Sequence, residues 1–556
     1  MRNRRLVVSA ALVAAGIGLI PGIAQAAPGP VAPAAGAAQG LDKARAAAVQ
    51  TFHSAADRTV RTALPTGAQQ AAGAQALSVQ GNPGLALGIS GSSYTAHGLD
   101  IHSTITSADV ALEVVVDWGD GKVDKTAAKG SAELDHQHTY ERVGDYTVTV
   151  TVTDAVNGVQ AVNTLAYRTP GAEFTPHAPA RLLDTRSGKG APAGKVAGRG
   201  TARVKIAGNE KVPAGVTSVV LNVTATNTVA DGHVTVWPGK GSERPITSNV
   251  NYEAGESVPN LVIVPVGSDG YVELFNGGWD SVDLLADVTG YFTRSTASGY
   301  KSLNPVRAVD TREGLGTAKG QVAGQATFGV QIAGERGVPA GVTAVALNMT
   351  VTNPREAGHL IAFPSGQQAP TTSNVNFSAG QTIANSVIVP VGADGKINIR
   401  NGAWAGADVI VDVVGYYSTD SRAAFMAGGP FRALDTREDG EWWPGGRFPA
   451  RGYIPKFATL EPEGVEANVV NVTVTNTTEA GFMSVAPSPF PWLINDQPDA
   501  PQPPRPTSSV LNWTAGKTVP NLVQASDGEH GIVHYWNQGW ADADLIVDYF
   551  GTYETK

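Results

Sequence analysis

The sequence predicts an all-β protein. It reads as one small β-sandwich followed by three repeated β-sandwich, jelly-roll-like modules, with a short N-terminal helix ahead of them. Three observations lead there. One long stretch is written three times, and its DTR aspartates, Asp184, Asp310 and Asp435, recur at steps of 126 and 125 residues. A period that long is a whole domain, not a solenoid unit. Each copy breaks into about eight short Val/Thr/Ile-rich runs, as an eight-stranded sandwich would. Gly (65 residues) and Pro (35) punctuate those runs, which favours strands and turns over helices. A small barrel is the alternative closure for eight short strands.

Taken in order, residues 1–26 read as a secretory signal. Arg2, Arg4 and Arg5 form a basic start, Leu6 to Ile20 an apolar run, and Ala24-Gln25-Ala26 a small-residue cleavage site. The Arg4-Arg5 pair leaves both the general and the twin-arginine export routes open. No later segment reaches the roughly 18 apolar residues of a membrane span, so no membrane insertion is expected after cleavage. Cysteine is absent, so each module must stand on its own core without disulfides. Cleavage removes three arginines and no acid and takes the net charge from −9 to −12. That balance argues against nucleic acid as a partner.

Residues 27–84 are rich in Ala, Pro and Gly. Within them, 41–64 reads as a helix: Leu41, Ala44, Ala48, Phe52, Ala55 and Ala56 fall near helical spacing, and Pro65 follows. From 85 to 168 the pattern changes to strands, with Tyr146, Val148, Val150 and Val152 alternating. This region carries Asp117-Trp118-Gly119-Asp120-Gly121, then His138-Thr139-Tyr140, Gly144 and Val152-Thr153-Asp154. With those residues it resembles the PKD domain, a small β-sandwich of secreted and cell-surface proteins. The resemblance implies a spacer or accessory binding unit.

The three copies span 174–293, 300–418 and 427–556. The first runs RLLDTR, LNVTATN, TSNVNY, PNLVIVPVG and DVTGYF. They resemble a repeat of secreted actinobacterial proteins with a DTR near the start and a DVxGY-type end, for which no activity is implied. The linkers, roughly 293–301 and 418–429, are short enough for the modules to touch or to be strung out.

Candidate chemistry is sparse. Asp184 and Arg186, Asp310 and Arg312, and Asp435 and Arg437 read as structural polar pairs that pin strands, with Asp287, Asp412 and Asp548 recurring near each module's end. Asn222, Asn348 and Asn471 match the glycosylation pattern, yet they sit inside strands, where buried amide bonding fits better. His233 and His359 are equivalent, but the third copy has Phe482 there, so no shared catalytic base is expected. No nucleophile-elbow, phosphate-loop, dinucleotide or zinc-protease motif occurs. No metal and no cofactor are expected.

The tryptophans carry more. Trp279, Trp404 and Trp540 each follow an Asn by three residues in a Gly-rich turn, where they can stack on a sugar, cap the core or pack on the next copy. The third copy adds Trp442 and Trp443 in a private loop and Trp492 in a Pro-rich insertion at 487–506. These six are the candidate ligand-binding residues. The expectation is a secreted, extracellular, non-enzymatic binding protein with cell-wall glycan as partner. The rivals are an extracellular protein-docking subunit and a glycan hydrolase.

Overall fold

The computed structural model describes residues 49–64, 81–440, 443–457, 464–491, 501–526 and 528–556. The expected signal segment, residues 1–26, and residues 41–48 of the expected helix lie outside them.

The first unit is a two-sheet sandwich. Its strands are β1 (Gln50–Ser54), β2 (Val60–Ala63), β3 (Ala86–Ser93), β4 (Gly98–Thr106), β5 (Ala111–Asp117), β6 (Val123–Lys129), β7 (Ala132–Thr139), β8 (Asp145–Asp154) and β9 (Val159–Arg168). The sheet orders are β1-β3-β4-β7 and β2-β9-β8-β5-β6. The expected helix over 41–64 is therefore corrected where it is described: 50–54 and 60–63 are strands, turned by a three-residue 3-10 corner at Ala56–Arg58. Each strand extends an edge of an opposite sheet. Ser54 is buried and its hydroxyl donates to Asn163 Oδ1 at 2.8 Å. Pairing with β3 and β9 anchors the segment to the sandwich, whereas an alanine-faced helix would bury little apolar surface, and tertiary pairing overrides propensity.

The Asp117–Gly121 turn is held by its own carboxylates. Asp117 accepts from Gly119 N at 2.9 Å and Asp120 from Lys122 N at 3.0 Å. Asp120 also meets His138 Nε2 at 2.8 Å, and the His138 ring stacks on fully buried Trp118 at 4.8 Å.

Module one contains β10 (Glu173–Asp184), β11 (Thr201–Lys205), β12 (Val216–Thr226), β13 (Gly232–Trp237), β14 (Val250–Tyr252), β15 (Val258–Pro265), β16 (Tyr271–Asn276) and β17 (Asp283–Thr293). Its sheets run β10-β17-β12-β15 and β11-β16-β13-β14. Two four-stranded sheets in that order are a jelly roll, not a closed barrel. Modules two and three repeat both orders strand for strand, and module three adds a small hairpin, Asp439–Gly440 with Trp443–Pro444. Each module has its own apolar core between its sheets.

The three modules pack around a common pseudo-threefold axis instead of lying in a row. The strands on the axis are β15 and its equivalents Ile383–Pro390 and Val519–Ala525, which contact one another. Alternate residues of a strand face opposite ways. Val262 and Val264 fill module one's core, whereas Leu261 and Ile263 join Ile388 and Leu522 in a separate cluster shared by all three modules. At one end of that cluster lie six buried aromatic rings, Phe174, Phe292, Tyr300, Tyr417, Phe425 and Tyr553. The strands entering the modules are knit cyclically there, through Phe174 with Ser298, Tyr300 with Ala423 and Ala172 with Phe425.

Asparagines close the ring further along. Asn222, Asn348 and Asn471 each donate to a carbonyl of the next module, those of Ser373, Ser509 and Ser248, at 2.7, 2.6 and 2.8 Å. Their own carbonyl oxygens accept from Asn385, Asn521 and Asn260 at 3.2, 3.1 and 2.9 Å. These amides are buried bolts between modules, unsuited to carry a glycan.

The PKD-like unit docks at the aromatic end of the axis. Gly171 N donates to Ala96 O, His97 N to Lys556 O at 2.9 Å, and Arg142 pairs with buried Glu173 at 2.7 Å. His97 Nε2 meets Arg422 O at 3.0 Å, and burial depresses its pKa to about 4. A histidine depressed below its unfolded value of about 6.5 stabilises the docked fold fully above that pH, and the stability falls as pH drops toward 4. The loss should be on the order of 2–3 kcal/mol at pH 4. Melting of wild type and His97→Gln from pH 7.5 to 4.5 checks this. Equal pH slopes for the two proteins would remove His97 as the cause.

Candidate functional site

At each module's margin an arginine–aspartate network ties the first strand to the last. Arg186 binds Asp184 through Nε at 2.9 Å and Nη2 at 2.7 Å. The arginine spanning both carboxylates is not in the DTR triplet. It is Arg181, which reaches Asp184 at 2.9 Å and Asp287 at 2.5 Å. Arg307 does the same to Asp310 and Asp412, and Arg432 to Asp435 and Asp548. Arg312 and Arg437 pair with Asp310 and Asp435. The Arg186 hydrogen bonds hold Asp184 down at about 2, whereas burial raises Asp287, Asp412 and Asp548 above the usual carboxylate range. The sequence signal for the missed arginine was its repetition three residues before each Asp.

The three repeated tryptophans stand at the other end of the axis. Each sits in the turn leading into a module's last strand, and that strand runs from the turn toward the aromatic end. Trp279, Trp404 and Trp540 are 83, 84 and 77 % exposed, which excludes a core-capping role. Their loops are built by the preceding asparagine. Asn276 Nδ2 donates to Asp280 O at 2.8 Å while its Oδ1 accepts from Gly278 N at 3.0 Å. Asn401 and Asn537 repeat both bonds around Trp404 and Trp540. Arg199 lies 5.5 Å from the Trp279 ring and Arg451 4.8 Å from that of Trp540. Arg199 and Arg451 also donate to the turn carbonyls of Gly277 and Gln538, and the equivalent Gln325 donates to those of Gly402 and Ala403. The indoles are thus presented on hydrogen-bonded turns.

Trp442 and Trp492 lie outside the described residues, and Trp443 is placed in the small hairpin of module three. Trp513 and Trp536 are buried in their module. Among the described residues, no group of three or more His, Asp or Glu could hold a metal ion, and no helix is long and apolar enough to cross a membrane.

A cavity of about 540 Å³ opens where the three modules meet at the tryptophan end. Its lining includes the equivalent asparagines Asn251, Asn376 and Asn512 and the equivalent hydroxyls of Ser257, Thr382 and Thr518. Sequence reasoning missed it, because it belongs to no single copy.

Residues 86–166 match the PKD domain family. No curated protein matches the chain. Among solved structures, the chain is similar to a SusE-like protein at 15 % identity and TM-score 0.11, over 35 % of this chain and 94 % of that one. It is also similar to the N-terminal CBM22-1-CBM22-2 tandem domain from Paenibacillus barcinonensis Xyn10C at 9 % identity and TM-score 0.15, over 44 and 93 %. A structure of Sulfolobus Turreted Icosahedral Virus aligns at 9 % identity and TM-score 0.15, over 69 and 91 %. None of these likenesses bears on this chain's ligand.

Proposed function

We propose that the protein is a secreted, non-catalytic binding protein that holds cell-surface polysaccharide against the tryptophan end of its three-module head. The observation that carries this reading is the set of three symmetry-related indoles, each more than three-quarters exposed on an ordered turn. An exposed indole contributes little to folding, but it offers a rigid flat face to a sugar ring at small entropic cost. Three such faces on one rigid body favour a repeating polymer, because the second and third contacts form intramolecularly. The leader sequence supports export, and the PKD-like unit suits a spacer at the opposite end. A non-catalytic role is supported by the acidic residues of the margin networks, each held by an arginine rather than facing an open cleft.

The test is co-sedimentation of the mature protein with purified cell-wall polysaccharide. The variant is Trp279→Ala/Trp404→Ala/Trp540→Ala. Apparent affinity should fall at least about tenfold, roughly 1.4 kcal/mol, with an unchanged melting temperature. Retained polysaccharide binding by the triple variant rejects the reading. Binding to co-secreted proteins but not polysaccharide would favour a docking subunit instead.

A further inference from the structure

The cavity at the junction of the modules has a chemistry of its own. Every charged side chain on its wall is already matched. Arg181 and Arg186 are held by Asp184 and Asp287. Lys517 of module three bridges to Glu253 and Glu256 of module one at 2.6 and 2.8 Å. What remains unmatched is neutral. Asn512 Oδ1 is buried and has no hydrogen-bond partner among the described residues. The His359 ring lines the cavity with no hydrogen bond among the described residues, and burial lowers its pKa, so it is uncharged at neutral pH. Ser257, Thr382 and Thr518 add neutral hydroxyl-bearing residues to the same wall. The volume lies in the range of small-molecule sites, about 300–1,000 Å³. A buried polar atom without a partner costs free energy unless a ligand or water completes it.

The three interfaces are not equivalent. At position 359 module two has histidine, where module three has Phe482, and position 517 is lysine only in module three. The Lys517 bridges tie module three to module one. The cavity's polar lining comes from all three modules, with Arg181 and Asn251 from the first, His359 and Asn376 from the second and Asn512 and Thr518 from the third.

We infer that this junction is a second, discrete ligand site that takes one residue of an uncharged polyhydroxylated ligand, a neutral saccharide unit. Neutral hydroxyls suit a wall of amides, hydroxyls and an uncharged imidazole, donating to and accepting from it without bringing a charge into the cavity. An anionic sugar would find no unpaired cation here. The inference rests on the glycan-binding reading for its ligand class, but not on the exposed tryptophans.

The probes are glucose, galactose, mannose and N-acetylglucosamine at millimolar concentration, read by saturation-transfer NMR on the full mature chain. At least one should bind, and galacturonate should bind more weakly. His359→Phe installs the residue that module three uses at that position. Asn512→Leu removes the unpartnered acceptor without removing a hydrogen bond seen among the described residues. Each should weaken the sugar at least about tenfold while leaving the melting temperature unchanged. The triple tryptophan variant should keep monosaccharide binding. If it also keeps polysaccharide, the surface reading fails while this one stands. Absence of signal from all four neutral sugars overturns the inference. So does stronger binding of galacturonate, or wild-type affinity in both cavity variants.

Discussion

Phe292→Ala should destabilise the entire three-module head in one transition, by about 3–5 kcal/mol. The Phe292 ring is fully buried on the pseudo-threefold axis, with centroids 5.3 Å from Phe174, 4.9 Å from Phe425 and 6.2 Å from Tyr553. Only Phe174 belongs to its own module. The cavity left by the substitution is therefore felt by modules one and three together, and through Tyr553, whose hydroxyl meets that of Tyr417 at 2.6 Å, by module two. Gln524 stands where the other modules have Ile263 and Ile388, and it donates to both of those tyrosine hydroxyls, at 2.7 and 2.9 Å. Phe292→Leu keeps most of the volume and should cost less than about 1.5 kcal/mol. Differential scanning calorimetry distinguishes the cases. A separate low-temperature peak for module one, with the remainder unmoved, would mean that the modules melt independently. By the same reasoning, an excised module 300–418 would expose Tyr300, Ala344, Ala346, Ile388 and Tyr417, all buried in the shared cluster.

Arg307→Met should be comparably damaging, about 3–5 kcal/mol at neutral pH, because it strips a buried carboxylate of its partner. Asp412 is 2 % exposed and takes its 2.5 Å bond from Arg307 Nε. Asp310 keeps Arg312, so the orphan is Asp412. Burial already raises the Asp412 pKa, with Arg307 opposing the rise; without that arginine it climbs further. A carboxyl whose folded pKa exceeds its unfolded value penalises folding above the folded pKa, and the penalty fades as pH falls through it toward about 4. The variant should accordingly regain stability on acidification relative to wild type. Arg307→Met/Asp412→Leu should recover most of the loss at pH 7, since an apolar pair of similar volume carries no desolvation cost. Urea melts of the three proteins at pH 7 and 5 provide the measurement. A single variant that is pH-independent, or a double variant no better than the single, would place the energy elsewhere.

Much of this architecture was legible in the sequence, and for a physical reason. Strand alternation, turn residues and the triple repeat are local properties, so all-β class and jelly-roll-like modules could be read from them. So could the Asn-x-x-Trp turns, because an asparagine that closes its own loop acts within five residues. What local pattern could not convey was which surface each apolar residue faces. LVIVP in β15 is apolar on both faces, which signals burial on both sides, but not that one side meets two other modules. Leu261 and Val262 look alike in sequence, yet they belong to different cores.

The same limit explains the other differences. Residues 50–63 are ambiguous as isolated sequence, and strand edges of the sandwich decide them. Asn222 reads as an amide in a strand, but its partner is a serine carbonyl 151 residues away. Arg181 and Arg186 are equally plausible carboxylate forks until the last strand brings Asp287 beside one of them. By itself, then, the sequence determined the modules and the loops that carry Trp279, Trp404 and Trp540, since those depend on contacts within one copy. The tertiary structure alone decided that the three indoles share one end of a single head and that a cavity lies at its axis. Both depend on how whole modules pack, and packing between modules is written in the outward faces of strands, where apolar residues look the same as those of any core.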